Sequence, residues 1–183
     1  FGDLRFTSVT VDYRRYVMPV NFYTIAGRIL QYGRYGPGCE DFRLAPLSIG
    51  YPQLVRGYDI SSISVEECVP TTATAGSCPA FDRLIGSRML VGNLEFRFPL
   101  LRPFGATGRM YGPLPTEVAF FTDAGTAWNA GQKPSFLSGG TRDLVASAGA
   151  TLRVNLFNFA VGQIDLAHPF QRPGRDWVWS FSL

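Results

Sequence analysis

Few side chains in this sequence could do catalytic chemistry, and their spacing favours none of the common mechanisms. His168 is the only histidine, and the chain has no Gly-x-Ser-x-Gly, phosphate-binding glycine loop or His-Glu-x-x-His. His168 therefore reads as a rim residue rather than a catalytic base. The three cysteines, Cys39, Cys68 and Cys78, form no Cys-x-x-Cys pair and lie far from His168. That spacing does not suit zinc, so neither a metal nor a cofactor is expected. Under oxidising conditions one cysteine pair can bridge, most simply Cys68–Cys78. That bridge closes a short loop, worth about 2–3 kcal/mol by chain entropy. The chain is not expected to be an enzyme.

The elements that position these residues must first account for an unusual composition. Of 183 residues, 46% are hydrophobic and 14% aromatic, but only 17% are charged. Soluble domains carry nearer about 25% charge. Lipid, a partner or a very large core must replace what is missing. No apolar run approaches the roughly 20 residues of a membrane helix, and mean hydropathy is +0.05. A barrel that spreads its apolar residues over alternate positions fits both facts. The net charge of +3 comes from arginines, Lys133 being the only lysine. No basic block is dense enough for nucleic acid.

Period-2 alternation recurs along the chain and predicts seven strands, over 4–17, 21–33, 87–98, 117–128, 143–154, 159–168 and 177–183. In 87–98, Leu90, Gly92, Leu94, Phe96 and Phe98 oppose Met89, Val91, Asn93, Glu95 and Arg97. In 117–128, Val118, Phe120, Ala124 and Trp128 oppose Glu117, Asp123 and Gly125. The closing strand sets Trp177, Trp179, Phe181 and Leu183 against Val178, Ser180 and Ser182. Trp177 and Trp179 read as membrane-interface anchors. The first strand changes phase near Ser8, where a bulge would explain the slip. No segment has a helical period.

The connections are uneven. Residues 34–86 are long, rich in Gly, Pro, Ser and Thr, and hold every cysteine; 129–142 form a second loop, whereas Met18–Val20 and 155–158 are tight. Outer-membrane barrels alternate long outer loops with short periplasmic turns. If the chain ends in the periplasm, 34–86, 129–142 and 170–174 fall outside, and Met18–Val20, 99–115 and 155–158 fall inside. Phe1 then also falls outside. Because complete bacterial barrels have an even strand number, N-terminal strands are expected to be missing, or to be supplied by another chain.

Three ordered patterns carry a family resemblance: Val55-Arg56-Gly57-Tyr58 in the long loop, Val91-Gly92-Asn93-Leu94-Glu95-Phe96-Arg97-Phe98-Pro99, and Phe120-Phe121-Thr122-Asp123-Ala124-Gly125-Thr126-Ala127-Trp128. With Ile164-Asp165-Leu166-Ala167-His168-Pro169 and the aromatic closing strand, the chain from about residue 20 to 183 resembles the Omp85, or bacterial surface antigen, family. The resemblance implies an all-β fold, the C-terminal portion of an antiparallel transmembrane barrel of about sixteen strands, in the bacterial outer membrane. It also implies that the long outer loop folds back into the lumen. There Arg56 would meet Glu95 and Asp123, which the strand phases independently place on the polar, inward face. Gly57 would permit a tight backbone, and Tyr58 would pack against the wall. A guanidinium fork matches carboxylates in orientation as well as charge. The plainer alternatives are that Arg56-Gly57 is only a turn, that Glu95 and Asp123 merely line a wet lumen, and that Gly125 only relieves a strand bend. Leu183 stands where the family often ends in an aromatic residue.

The function implied by the resemblance is outer-membrane protein assembly or polypeptide translocation, with outer-membrane lipid and client polypeptides as partners. An anchor or export port for an unseen N-terminal enzyme or binding domain is the alternative, discriminated by the sequence upstream of Phe1. A soluble β-sandwich or small ligand-binding barrel is the third reading; it predicts solubility without detergent and requires a second sheet to cover the aromatic faces.

Overall fold

The alternation above sets successive side chains on opposite faces, so a strand with one apolar and one polar face must pair sideways to satisfy its backbone. A computed structural model of the protein describes residues 3–68, 78–100, 116–135, 140–156 and 159–183. It shows seven strands joined into one antiparallel sheet: β1 (Thr7–Val20), β2 (Tyr23–Tyr35), β5 (Arg88–Pro99), β6 (Thr116–Trp128), β7 (Val145–Leu156), β8 (Ala160–Pro169) and the shorter β9 (Val178–Ser182). Two short strands, β3 (Leu47–Ser48) and β4 (Ile85–Gly86), pair within the long loop. The order β1-β2-β5-β6-β7-β8-β9 is a meander of nearest neighbours. It is an open sheet, a partial barrel wall with β1 and β9 at its edges.

The register keeps the predicted faces aligned from strand to strand. Asn93 pairs with Asp123, and Asp123 with Ser147, so the polar positions of β5, β6 and β7 lie in one row on the inner face. The opposite face presents Leu94, Phe96, Phe120, Ile164, Trp179 and Phe181, all exposed. Tyr23, Phe96, Phe98 and Phe120 stack there with ring centroids about 6 Å apart, between 5.9 and 6.4 Å. An exposed aromatic band on a charge-poor face is the signature of a wall facing lipid.

Four expectations change. The register of β1 runs unbroken past Ser8, and its irregularity falls between Val17 and Val20. Pro19, which has no N–H to donate, sits in that bulge. The tight connection therefore moves from Met18–Val20 to Asn21 and Phe22, the latter at φ 78°. The closing strand is shorter than 177–183: its ladder spans Val178 to Ser182, with Trp177 and Leu183 flanking it. Residues 69–77 of the long loop lie outside the described residues, but its described parts, 34–68 and 78–86, hold local structure. Besides β3 and β4 they hold a one-turn helix, α1 (Pro79–Asp82), and two 3-10 turns, Ile60–Ser62 and Val65–Cys68. Helical periodicity cannot reveal single turns. The inner connection 99–115 lies outside the described residues beyond Leu100, as do 136–139 of the loop 129–142 and 157–158 of the turn 155–158.

The main core lies between loop and wall. Leu47, Ile49, Val55, Tyr58 and Leu84 of the loop pack against Leu30, Met89, Val91, Ala127 and Val145 of the strands. Ile49, Val55, Leu84 and Val91 have no exposed surface. At roughly 1.5–3 kcal/mol for each large side chain buried, this contact alone holds the loop against the inner face.

Candidate functional site

Arg56 reaches the wall because the loop descends along β6. Gly125 is the inward position that makes room: a methyl group there would come within 2.8 Å of Val55 Cγ2. So Gly125 does more than relieve a bend; it admits the residue beside Arg56. Gly57, at φ +84°, turns the chain against β8, where a side chain would press on Ala167 at 3.2 Å and Pro169 at 3.5 Å. The conformation and the clearance both call for glycine.

The guanidinium of Arg56 is used on nearly every side. Its Nε donates to Asp123 Oδ2 at 2.7 Å and its Nη2 to Asp123 Oδ1 at 2.8 Å, a bidentate fork. Nη1 donates to Glu95 Oε1 at 2.7 Å and to Thr151 Oγ1 at 3.2 Å. The backbone N–H of Arg56 adds a bond to Asp123 Oδ2 at 3.2 Å. The face of the group lies over the Phe121 ring, 3.6 Å from its centroid. Arg56 is 4% exposed, Asp123 1% and Glu95 8%. In such a setting a charge without a partner costs several kcal/mol, so geometry of this kind is needed for the charges to be there at all.

The two carboxylates are not equivalent. Glu95 also pairs with Arg97 at 2.7 Å and Arg153 at 3.1 Å, and Arg153 continues to Glu117 at 3.2 Å. Among the described residues, the cation that meets Asp123 is Arg56; its other side-chain partner is the Asn93 amide at 2.8 Å. Below the site a cavity of about 220 Å³ is bordered by Arg14, Arg28, Gln53, Arg97, Arg153 and Gln163.

Tyr58 is buried, as expected of a residue packed on the wall, but its hydroxyl adds hydrogen bonds. It donates within reach of Ala146 O at 3.1 Å and Gln171 Oε1 at 2.8 Å, and accepts from the Gln171 N–H at 3.0 Å. Burial pushes the Tyr58 hydroxyl pKa up, so it stays a donor. Cys68 and Cys78 form a disulfide, and Cys39 is a buried free thiol. Trp177, Trp179, Phe181 and Leu183 are exposed on the outer side, away from the arginine site. His168 packs against Phe170 and Trp177, both at 5.3 Å between centroids, and its Nδ1 meets the Asp176 carbonyl at the sheet rim. Among the described residues no group of three or more His, Cys, Asp or Glu could hold a metal.

Two features of the site escape the sequence reading. Asp165 of β8, 2% exposed, takes the Thr151 hydroxyl at 2.5 Å, and so extends the Arg56 cluster to a third acid. Its inward phase in Ile164-Asp165-Leu166 was the available signal. The second is Arg172, in the connection from β8 to β9. It donates to Glu67 Oε2 at 2.6 Å and Oε1 at 2.9 Å, to Gly57 O at 2.8 Å, and to Ser62 Oγ and O at 3.0 and 2.5 Å. Nothing in local spacing joins residues 105 apart. Burial alone would raise the Glu67 carboxyl pKa, but bonds from Arg172 and Ser64 outweigh it and hold it below the usual 4.5.

Compared with known protein families, the chain matches one family model, the Omp85 superfamily domain, over residues 1–183. Comparison with curated proteins gives no match.

Proposed function

This chain belongs to the Omp85 superfamily, and from that premise we propose that residues 34–86 are a latched plug in an outer-membrane barrel that assembles or translocates polypeptides. Proteins of this family are bacterial outer-membrane proteins generally engaged in protein assembly or translocation. The observation that carries the reading is the paired, buried Arg56, which the loop inserts between two acids of the wall beside its apolar contact with the strands. Withdrawing the loop strips Asp123 of its cation, while Glu95 keeps Arg97 and Arg153. Asp123 is thus what makes release costly and return specific. Because water can enter a polar lumen and rehydrate these charges, the latch can open without unfolding the wall.

β9 is five residues long, so its free edge offers few backbone groups to a closing strand, which supports a weak seam there. In lipid the unpaired backbone of β1 and β9 would cost several kcal/mol per group. The working barrel therefore includes further strands or another chain at those edges, with lipid around its aromatic face.

A disulfide engineered between Val55→Cys and Gly125→Cys, where a Cβ on residue 125 would stand 2.8 Å from the Val55 Cγ2 that the first change removes, tests the reading in membrane vesicles loaded with an unfolded client polypeptide. The locked protein should fail in client assembly or passage, and reductant should restore it. Undiminished activity with the lock closed sinks the proposal.

A further inference from the structure

On the outer face of the sheet, Arg15 stands out among apolar neighbours. Its strand mates on that face are Val9, Val11, Tyr13 and Val17, whereas Asp12 and Arg14 face inward, where Asp12 accepts from both Arg14 and Arg28. Among the described residues, Arg15 is a strand arginine for which no hydrogen bond, ion pair or ring contact exists. A guanidinium left without a counter-charge on a lipid-facing wall must find an anion or reach water.

Beside Arg15 the wall is hollow. Arg15 pairs across with Gly27, Gly27 with Leu94, and Ile29 with Gly92. Nothing lies within 4 Å of where a Cβ would stand on Gly27 or Gly92. These glycines are therefore not forced by crowding inside this chain; they leave a groove of about 400 Å³, bordered by Tyr13, Arg15, Ile29, Leu94, Thr122 and Ala124. The lining is mostly apolar, with Arg15 at one end; Thr122 is the other polar side chain of the outer face, and Arg28, Asn93 and Asp123 border the groove from inward-facing positions. One register step away, Val17 pairs with Ile25 and Ile25 with Phe96 of the aromatic band. That places Arg15 about 7 Å along the strand from the band, close enough for its side chain to extend to the level where headgroups lie.

We propose that this groove is a phospholipid site, in which Arg15 holds the phosphate and an acyl chain lies over Gly27 and Gly92. The occupant is a lipid of the leaflet nearest the β1–β2 turn. The assignment rests on the barrel reading above. Cation and groove act together: the phosphate supplies the counter-charge that Arg15 lacks, and the chain fills space that any larger residue would occupy. Guanidinium binds phosphate through paired N–H donors, so the contact resists exchange with bulk lipid.

The test is native mass spectrometry of the full-length protein extracted from membranes, with phosphatidylglycerol as probe. Wild type should retain one lipid. Arg15→Ala should retain it about tenfold less well, the loss of a charge-assisted hydrogen-bonded pair, and Gly92→Leu should displace it by filling the groove. Heat-modifiable gel mobility reports in each sample whether the barrel is folded. Equal retention by folded Arg15→Ala or folded Gly92→Leu protein overturns the proposal. So does cross-linking of Arg15 to a carboxylate on an adjoining strand. A wild-type protein that shows no heat-modifiable mobility and no need for detergent would instead refute the barrel reading itself.

Discussion

Two buried arginines hold the long loop, and they do so in opposite senses. At the Arg56 site the loop supplies the cation and the wall the acids, from β5 and β6. At the Arg172 site the loop supplies the acid, Glu67, and the β8–β9 connection supplies the cation. The first fixes the loop to rigid strands; the second ties one outer segment to another, beside the Cys68–Cys78 bridge. They meet at Gly57, whose carbonyl accepts from Arg172 while its neighbour Arg56 points into the wall. They also differ in what remains after a break. Asp123 would be left with an amide, whereas Glu67 would still have Arg175 at 3.6 Å. The depth of an ion pair matters less than whether a second partner stands ready.

That contrast sets the order of expected effects. Arg56→Ala should be the most damaging, destabilising the loop-bound state by about 3–5 kcal/mol because it strands a buried carboxylate. Limited proteolysis within 34–86 is the measurement, and unchanged cleavage would refute the latch. Arg56→Lys should recover only part of the protection, since an ammonium cannot make the planar fork with Asp123; full recovery would mean that charge alone matters. Arg172→Ala should cost less, about 2–3 kcal/mol, read by hydrogen exchange at Ser62 to Glu67. If its effect exceeds that of Arg56→Ala, the ranking by available second partners is wrong. Gly57→Ala should cost about 1–2 kcal/mol through the left-handed backbone and the pressure on Ala167, seen as a lower urea midpoint for loss of heat-modifiable mobility.

The smallest effect is in pH. A carboxyl whose folded pKa is depressed contributes stability that is complete above its ordinary value and declines as pH falls through the folded one. Glu67 should therefore support the loop at neutral pH and lose that support below 4.5. Proteolysis at graded acidity should show Glu67→Gln already weakened at pH 7 and less responsive to acid than wild type. Parallel curves for the two proteins would remove Glu67 from the account.

Alternation made much of the wall legible, because a period of two assigns every side chain of a strand to a face before any partner is known. The strand number in the main sheet, the lipid-facing aromatics, and the shared inward phase of Glu95 and Asp123 all follow from that rule. Strand ends were less legible. Pro19 looked like a turn residue, but a bulge also accommodates a residue without an N–H, and the hairpin closed two residues later. The loop is long and rich in Gly, Pro, Ser and Thr, yet Ile49, Val55 and Leu84 form the buried contact of the interior. Short apolar clusters without a period carry no directional signal.

By itself, then, the sequence determined which face of each strand is apolar and which acids point inward, and its motif order supplied Arg56 as their partner through family resemblance. Only the tertiary structure decided how deep the loop sits, that Gly125 admits Val55, that Asp165 joins the cluster through Thr151, and that Arg172 clamps Glu67. The reason is one of range. Side-chain direction along a strand is local and repeats every two residues, whereas a loop's partners are chosen by how the strands curve around it, and that choice pairs residues too far apart in sequence for any spacing to announce.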